Sequence, residues 1–503
     1  MPIETSTAAP RRMFFILSLC SLLFSIAWQW FRVEWYASGE AGEAIAAGAL
    51  MVRSLRLYTD IWLGEMPGVA WVAAIVTKFS PSLMSIFVIE WICTLMCAVL
   101  IYFVARPVAE RITALSSAVL FIAVSAGMTV RGAAGAKFYI LLMLLTILMA
   151  FRQKAGSFSV GFLAGLAAMF HLSALISGAA VLFAFCRGKK ATDRLTAAAG
   201  LIFPFILLMV LFAAGGTLPD LYDCVLRFGF YELLERYRNY EMQIRELVDG
   251  LMVGAVLWGV PLICGSNRSN GLNRSTPAIF WYWFTAEGLR MALMMDFSPA
   301  AMLRCFAPLA VLTALAIEQM CGKANQKPHS MLSISHILVF LLFMVMIGRV
   351  GGSLYGIGAS GREDRISAEW RRAVAEMVRR FSAEDDLVYV WGSEAALYLE
   401  AGRLPASRFF ISRPFFTYGY MTGKNVHNFT DMLSENPPPF LVLADTLFPE
   451  TETKNSQIKK NQHLTEALIA LRTAVKEKYY LLSSAGKMIL CVRNDRLIKQ
   501  KNL

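Results

Sequence analysis

Charge is what this chain has least of. Asp, Glu, Lys and Arg make up 17% of its 503 residues, where a soluble globular domain carries about a quarter. With 57% hydrophobic residues and a mean hydropathy of +0.52, a wholly soluble chain is excluded and an integral membrane protein is indicated. Cysteine is sparse too: the nine thiols lie mainly in apolar runs without metal-like spacing, which argues against both a disulfide framework and a zinc site. No convincing internal repeat is visible, and that weighs against a transporter built from repeated halves. The polar C-terminal part lacks a phosphate-cradling Gly loop, HExxH and GxSxG, so it shows no catalytic constellation of its own. The net charge of +12 might suggest nucleic acid, but the basic residues come as short clusters between apolar runs. A nucleic-acid partner is therefore excluded.

What is present is a succession of apolar runs, near 13–31, 83–105, 112–130, 137–151, 157–170, 172–186, 195–213, 248–264, 277–295, 300–320 and 331–349. They predict roughly eleven spans, several of them shorter than the ~20 residues of a full crossing. Arg11-Arg12, Arg106 with Arg111, Arg152 with Lys154, "CRGKKATDR" (186–194), Arg268 with Arg274 and Lys323 with Lys327 then fall on one side. The positive-inside rule makes that side the cytoplasm. The first run ends in bulky Trp and Phe rather than a small-residue cleavage site, so it reads as a retained span with a cytoplasmic N-terminus.

The expected division is 1–349, a membrane domain with outward loops 32–82 and 214–247, and 350–503, a soluble extracytoplasmic α/β domain. Within the first loop, "GVAWVAAIVTKF" (68–79) is too short to span and is flanked by Pro67 and Pro81, which predicts an interfacial or re-entrant helix. The second loop interleaves aromatics with charges, as a helix at the headgroup level would. In the tail, 366–381 has helical periodicity, 387–391 and 439–445 are strand-like, and 479–492 reads as a terminal hairpin. A recognition or lid role is expected for it. The fold class is thus mainly α: a polytopic transmembrane helical bundle with a small C-terminal α/β domain.

In this topology the outward rim gathers Glu40, Glu43, Asp60 and Glu65 with Arg53, Arg56, Arg131, Lys137, His171, Arg290 and Arg304. Transfer from a lipid phosphate would require such a mixture: a carboxylate to take a proton or hold a divalent cation, and cations to neutralise the departing phosphate. The plainer alternative for any one of them is a solvated or snorkelling charge. For Arg290 and Arg304 it is pairing with Glu287 and Asp296, and for His171 a hydrogen-bonded turn between two short helices.

Several stretches resemble the polytopic GT-C glycosyltransferases, in the bacterial branch similar to protein O-mannosyltransferases and the aminoarabinose transferases of lipid A. "SGEAGEAIAAGALMVRSLRLYTDIWLGEMPG" (38–68) has that family's order of an acidic position, a helix, Tyr-x-Asp and a Pro-containing segment. "VGFLAGLAAMFHLSALI" (160–176) looks like its Gly-x-x-x-Gly span, with His171 where a Lys is commoner. "GTLPDLYDCVLRFGFYE" (216–232), "FSPAAMLRCFAPLAVLTALA" (297–316) and "DDLVYVWGSEAALYLEAGRLPASRFF" (385–410) resemble later segments. An Asp-Glu pair is replaced by Gly39-Glu40, and a His-Tyr pair ahead of the last Pro is absent.

The resemblance implies a polyprenyl-phosphate-linked sugar donor, a glycan, lipid or protein acceptor, contact with membrane lipid, and an active site on the outer face of a bacterial inner membrane. It implies Glu40 or its rival Glu43 as base or metal ligand, and Asp60 as acceptor-orienting or metal-sharing group. Tyr58, Arg131, His171, Arg290 and Arg304 are the implied substrate and phosphate contacts, and a divalent metal ion stays open. A transporter or flippase of a lipid-linked or anionic solute, and a non-catalytic envelope protein of the same fold, are the alternatives.

Overall fold

The computed structural model describes residues 11–23 in part, 40–128, 134–152, 155–238, 275–324 apart from 295 and 297, 368–444, 461–485 and 488–496. The expected spans at 248–264 and 331–349, and Arg131, lie outside the described residues. By contact the chain forms two compact units. The first holds Met1–Val33, Phe87–Leu211 and Asn239–Ala359; the second holds Glu34–Ile86, Phe212–Arg238 and Ser360–Leu503.

The first unit is helical. Among the described residues, three helices that contribute to it are long and apolar enough to cross a membrane: Leu83–Ala105, Ala191–Ala214 and Ala300–Glu318, the last inside the longer helix Pro299–Ala324. Helices Arg111–Met128, Ala134–Phe151 and Ser275–Met294 occupy the runs expected near 112–130, 137–151 and 277–295. Their apolar side chains meet in a core that includes Ile101, Phe121, Ile140, Phe280 and Val311. Runs 157–170 and 172–186, each taken above as a span, form helices of 11 and 12 residues, Ser157–Ala167 and Ala174–Phe185. At 1.5 Å per residue each covers only about 16–18 Å, well short of a ~30 Å hydrocarbon core. The Gly-x-x-x-Gly of the first of them is a packing device. A Cβ on Gly161 would lie 2.0 Å from the Ala197 carbonyl oxygen, and one on Gly165 2.2 Å from that of Leu201, so only glycine lets the two backbones approach this closely.

The second unit brings segments Glu34–Ile86 and Phe212–Arg238 together with the tail. Helix Glu40–Val52 packs on helix Gly68–Phe79, the one with the bounds expected from sequence. Gly48 makes that contact possible, since a Cβ there would meet the Ala70 carbonyl oxygen at 2.4 Å. The second loop is helical from Leu218 to Arg238, with a π-helical turn at Tyr222–Arg227. The tail has a five-stranded sheet of β1 (Leu387–Trp391), β2 (Leu404–Pro405), β3 (Phe440–Leu443), β4 (Tyr479–Ala485) and β5 (Met488–Arg493) in the order β2-β1-β3-β5-β4. β1 runs parallel to β2 and β3, in register Val388 with Phe440, while β4 and β5 form the expected antiparallel hairpin. β3 is buried at every position, the pattern of a strand covered on both faces.

Candidate functional site

The acidic first loop lies in the second unit. Glu40 opens helix Glu40–Val52. Glu43 follows one turn later and is 2% exposed. Its carboxylate accepts from Arg413 Nη1 at 3.2 Å, and Nη2 of the same guanidinium donates to Glu232 at 2.6 Å. Burial pushes the Glu232 carboxyl upward, but Arg413 and Arg236 outweigh it and hold the group below the ordinary glutamate value. Arg413 carried no signal in the sequence. It stands 370 residues from Glu43, and only the folded tail makes them neighbours.

Tyr58 and Asp60 shape the turn after this helix. Tyr58 has φ +69°, a region a bulky residue rarely adopts. It is fully buried: its amide donates to the Ile61 carbonyl at 2.8 Å and its hydroxyl to the Glu65 carbonyl at 2.7 Å. Its one O–H is thus engaged within the loop. Asp60 accepts from the Arg56 amide at 2.8 Å and pairs with the Arg56 side chain at 3.3 Å. Burial raises its carboxyl pKa, and these two interactions more than reverse that, leaving it below the ordinary value. Next to it, Thr59 donates to Asp220 at 2.7 Å. Arg408 of the tail lies 3.6 Å from Asp220 and 3.5 Å from Asp223, while the backbone amide of Trp62 donates to the Arg408 carbonyl at 2.9 Å. The turn is therefore held by partners from all three segments of the unit.

Lys137, His171, Arg290 and Arg304 lie in the first unit. Glu287, with no exposed surface, accepts from Tyr139 and Ser177, each at 2.5 Å, and from Arg290 at 3.2 Å, with Arg304 Nε 3.5 Å away. Asp296 takes the remaining charge, 3.0 Å from Arg290 and 3.3 Å from Arg304. Two guanidiniums are thus balanced by two carboxylates, the plainer pairing recognised from the sequence. Arg290 Nη2 stays buried without a hydrogen-bond partner, leaving a donor that an anionic oxygen could take up. His171 stands at the turn between the two short helices, where its Nδ1 lies 2.6 Å from the Ser173 hydroxyl and accepts the Ser173 amide at 3.3 Å. Lys137 pairs with Glu90 at 3.1 Å, both 2% exposed; Glu90, one acid in a long apolar run, was missed by sequence reasoning. Among the described residues no group of three or more His, Cys, Asp or Glu side chains is placed to hold a metal ion.

Across 93% of this chain and 97% of the other, at 13% identity and a TM-score of 0.52, the fold is similar to that of ArnT from Cupriavidus metallidurans, solved as a crystal structure in the apo state. ArnT is an aminoarabinose transferase of the GT-C type. This chain shares that fold. Its mostly helical build, ending in a small sheet, agrees with an integral membrane protein. No family model matches the sequence, nor does any curated protein.

Proposed function

We infer that the chain is a membrane glycosyltransferase that moves a sugar from a polyprenyl-phosphate donor to an envelope glycan, lipid or protein on the outer face of a bacterial inner membrane. The GT-C fold over nearly the whole chain carries this reading. The buried, cross-braced acidic loop supports it, since a group that must meet an acceptor hydroxyl in one geometry needs a rigid mount. The reaction is a single inverting displacement. The acceptor oxygen attacks the anomeric carbon, the bond from that carbon to the phosphate oxygen breaks, and the electron pair leaves with the polyprenyl phosphate. The acceptor's proton passes to a carboxylate.

Glu40 is the preferred base, because Glu43 is engaged with Arg413. Asp60 orients the acceptor. Arg290, through its unpartnered nitrogen, together with Arg131, Arg304 and His171, is assigned to the charge that builds up on the phosphate. The Lys137–Glu90 pair, buried between apolar helices, is the observation that favours the second reading, a transporter of a lipid-linked solute.

Purified chain in liposomes loaded with polyprenyl-monophosphate sugars separates the readings. Transfer predicts free polyprenyl phosphate and a glycosylated acceptor, both abolished by Glu40→Gln. Donor that crosses the bilayer intact identifies a transporter, and donor that is bound and neither moved nor consumed identifies a non-catalytic protein.

A further inference from the structure

Arg413 begins a four-residue helix of the tail, Arg413–Phe416, that is tied down by Asn461 donating to the Phe415 carbonyl at 3.2 Å. Its guanidinium lies 5.4 Å from the centre of the Phe228 ring and reaches two carboxylates with separate nitrogens, Glu43 at 3.2 Å and Glu232 at 2.6 Å. A carboxylate as enclosed as Glu43 is stable as an anion only beside a counter-charge, and the planar fork of arginine suits two acceptors at once. The far end of helix Glu40–Val52 is held as well, by Arg53 Nη1 donating to the tail's Gly402 carbonyl at 2.7 Å. The helix that opens with Glu40 is thus gripped by the tail near its start and just beyond its end, with Gly48 seated on Ala70 between them.

We propose that Arg413 is a positioning residue of the acidic loop: it holds Glu43 as a buried ion-pair strut and so fixes the turn that carries Glu40. The tail is then a structural part of the reacting loop. The effect on transfer rests on the reading of Glu40 above; the strut does not.

The test uses the full chain and two readouts, amide hydrogen exchange over residues 40–52 and glycan transfer in complemented cells followed by mass spectrometry. Arg413→Ala is expected to speed exchange about tenfold or more and to lower transfer about a hundredfold. Arg413→Lys, which keeps the charge without the fork, falls between that variant and the wild type. The neutral pair Glu43→Gln with Arg413→Met removes both charges together and is expected to recover exchange to within about threefold and transfer to within about tenfold of wild type. Wild-type protection in Arg413→Ala, or no recovery of protection in the neutral pair, overturns the strut. Recovery of protection without recovery of transfer makes Glu43 the reacting group and overturns the positioning role. If protection follows the expected pattern while the wild type transfers no sugar, the functional reading fails and the strut stands.

Discussion

The two units solve the same electrostatic problem with different parts. In the membrane unit Glu287, Arg290, Asp296 and Arg304 come from two successive helices and the short link between them, within 18 residues of chain, and they are nearly removed from solvent. In the second unit Glu43, Arg413 and Glu232 come from three distant segments, and Arg413 keeps 21% of its side chain exposed. Burial without water demands that charges cancel locally. Where water reaches the rim, one arginine can bridge segments hundreds of residues apart, and assembly of the loop then depends on the folded tail.

If that contrast is right, the largest effect belongs to the membrane network. Glu287→Ala leaves two buried guanidiniums facing Asp296 alone and is expected to cost about 3–5 kcal/mol, measured as lost folded protein or lowered melting temperature in detergent. Lys137→Ala removes the cation beside the buried Glu90 carboxylate and is also expected to lower stability, whereas Lys137→Met with Glu90→Leu, which removes both charges, is expected to cost less. A smaller loss, about 1–3 kcal/mol, is expected for Gly48→Ala, whose Cβ would collide with the Ala70 carbonyl; melting in detergent checks it. At the smallest end, Arg56→Ala removes an exposed partner of Asp60 and is expected to change stability by about 0–1 kcal/mol.

A pH series sharpens the comparison on the water-accessible side. The Glu232 carboxyl is held below its ordinary value by Arg413 and Arg236 against the opposing pull of burial. A lowered folded pKa means that the stabilisation is fully present above the ordinary glutamate value and is lost as the pH falls through the folded value. Melting temperatures of wild type and Glu232→Gln are therefore expected to differ at neutral pH and to converge in acid.

Much of the fold was legible because apolar runs and punctuating residues are local signals. The helix at 68–79, the pair of helices turning near His171, the Gly161/Gly165 contact face and the hairpin near 479–492 could each be read from a short window. The pairing of Arg290 and Arg304 was legible for the same reason, since Glu287 and Asp296 lie within a few turns of them. Arg413 was not, because nothing near it in the chain marks it as the partner of Glu43. The setting of Tyr58 was not legible either, since its left-handed backbone and inward hydroxyl exist only once the loop has closed around it.

The account depends most on the acidic loop performing sugar transfer. The most direct measurement is mass spectrometry of envelope glycans and polyprenyl-linked sugars in cells lacking this chain, complemented with wild type, Glu40→Gln or Asp60→Asn. The account predicts a missing sugar and accumulated lipid-linked donor, both corrected by wild type and not by Glu40→Gln. Unchanged glycans in the deletion, or full complementation by both variants, would contradict it.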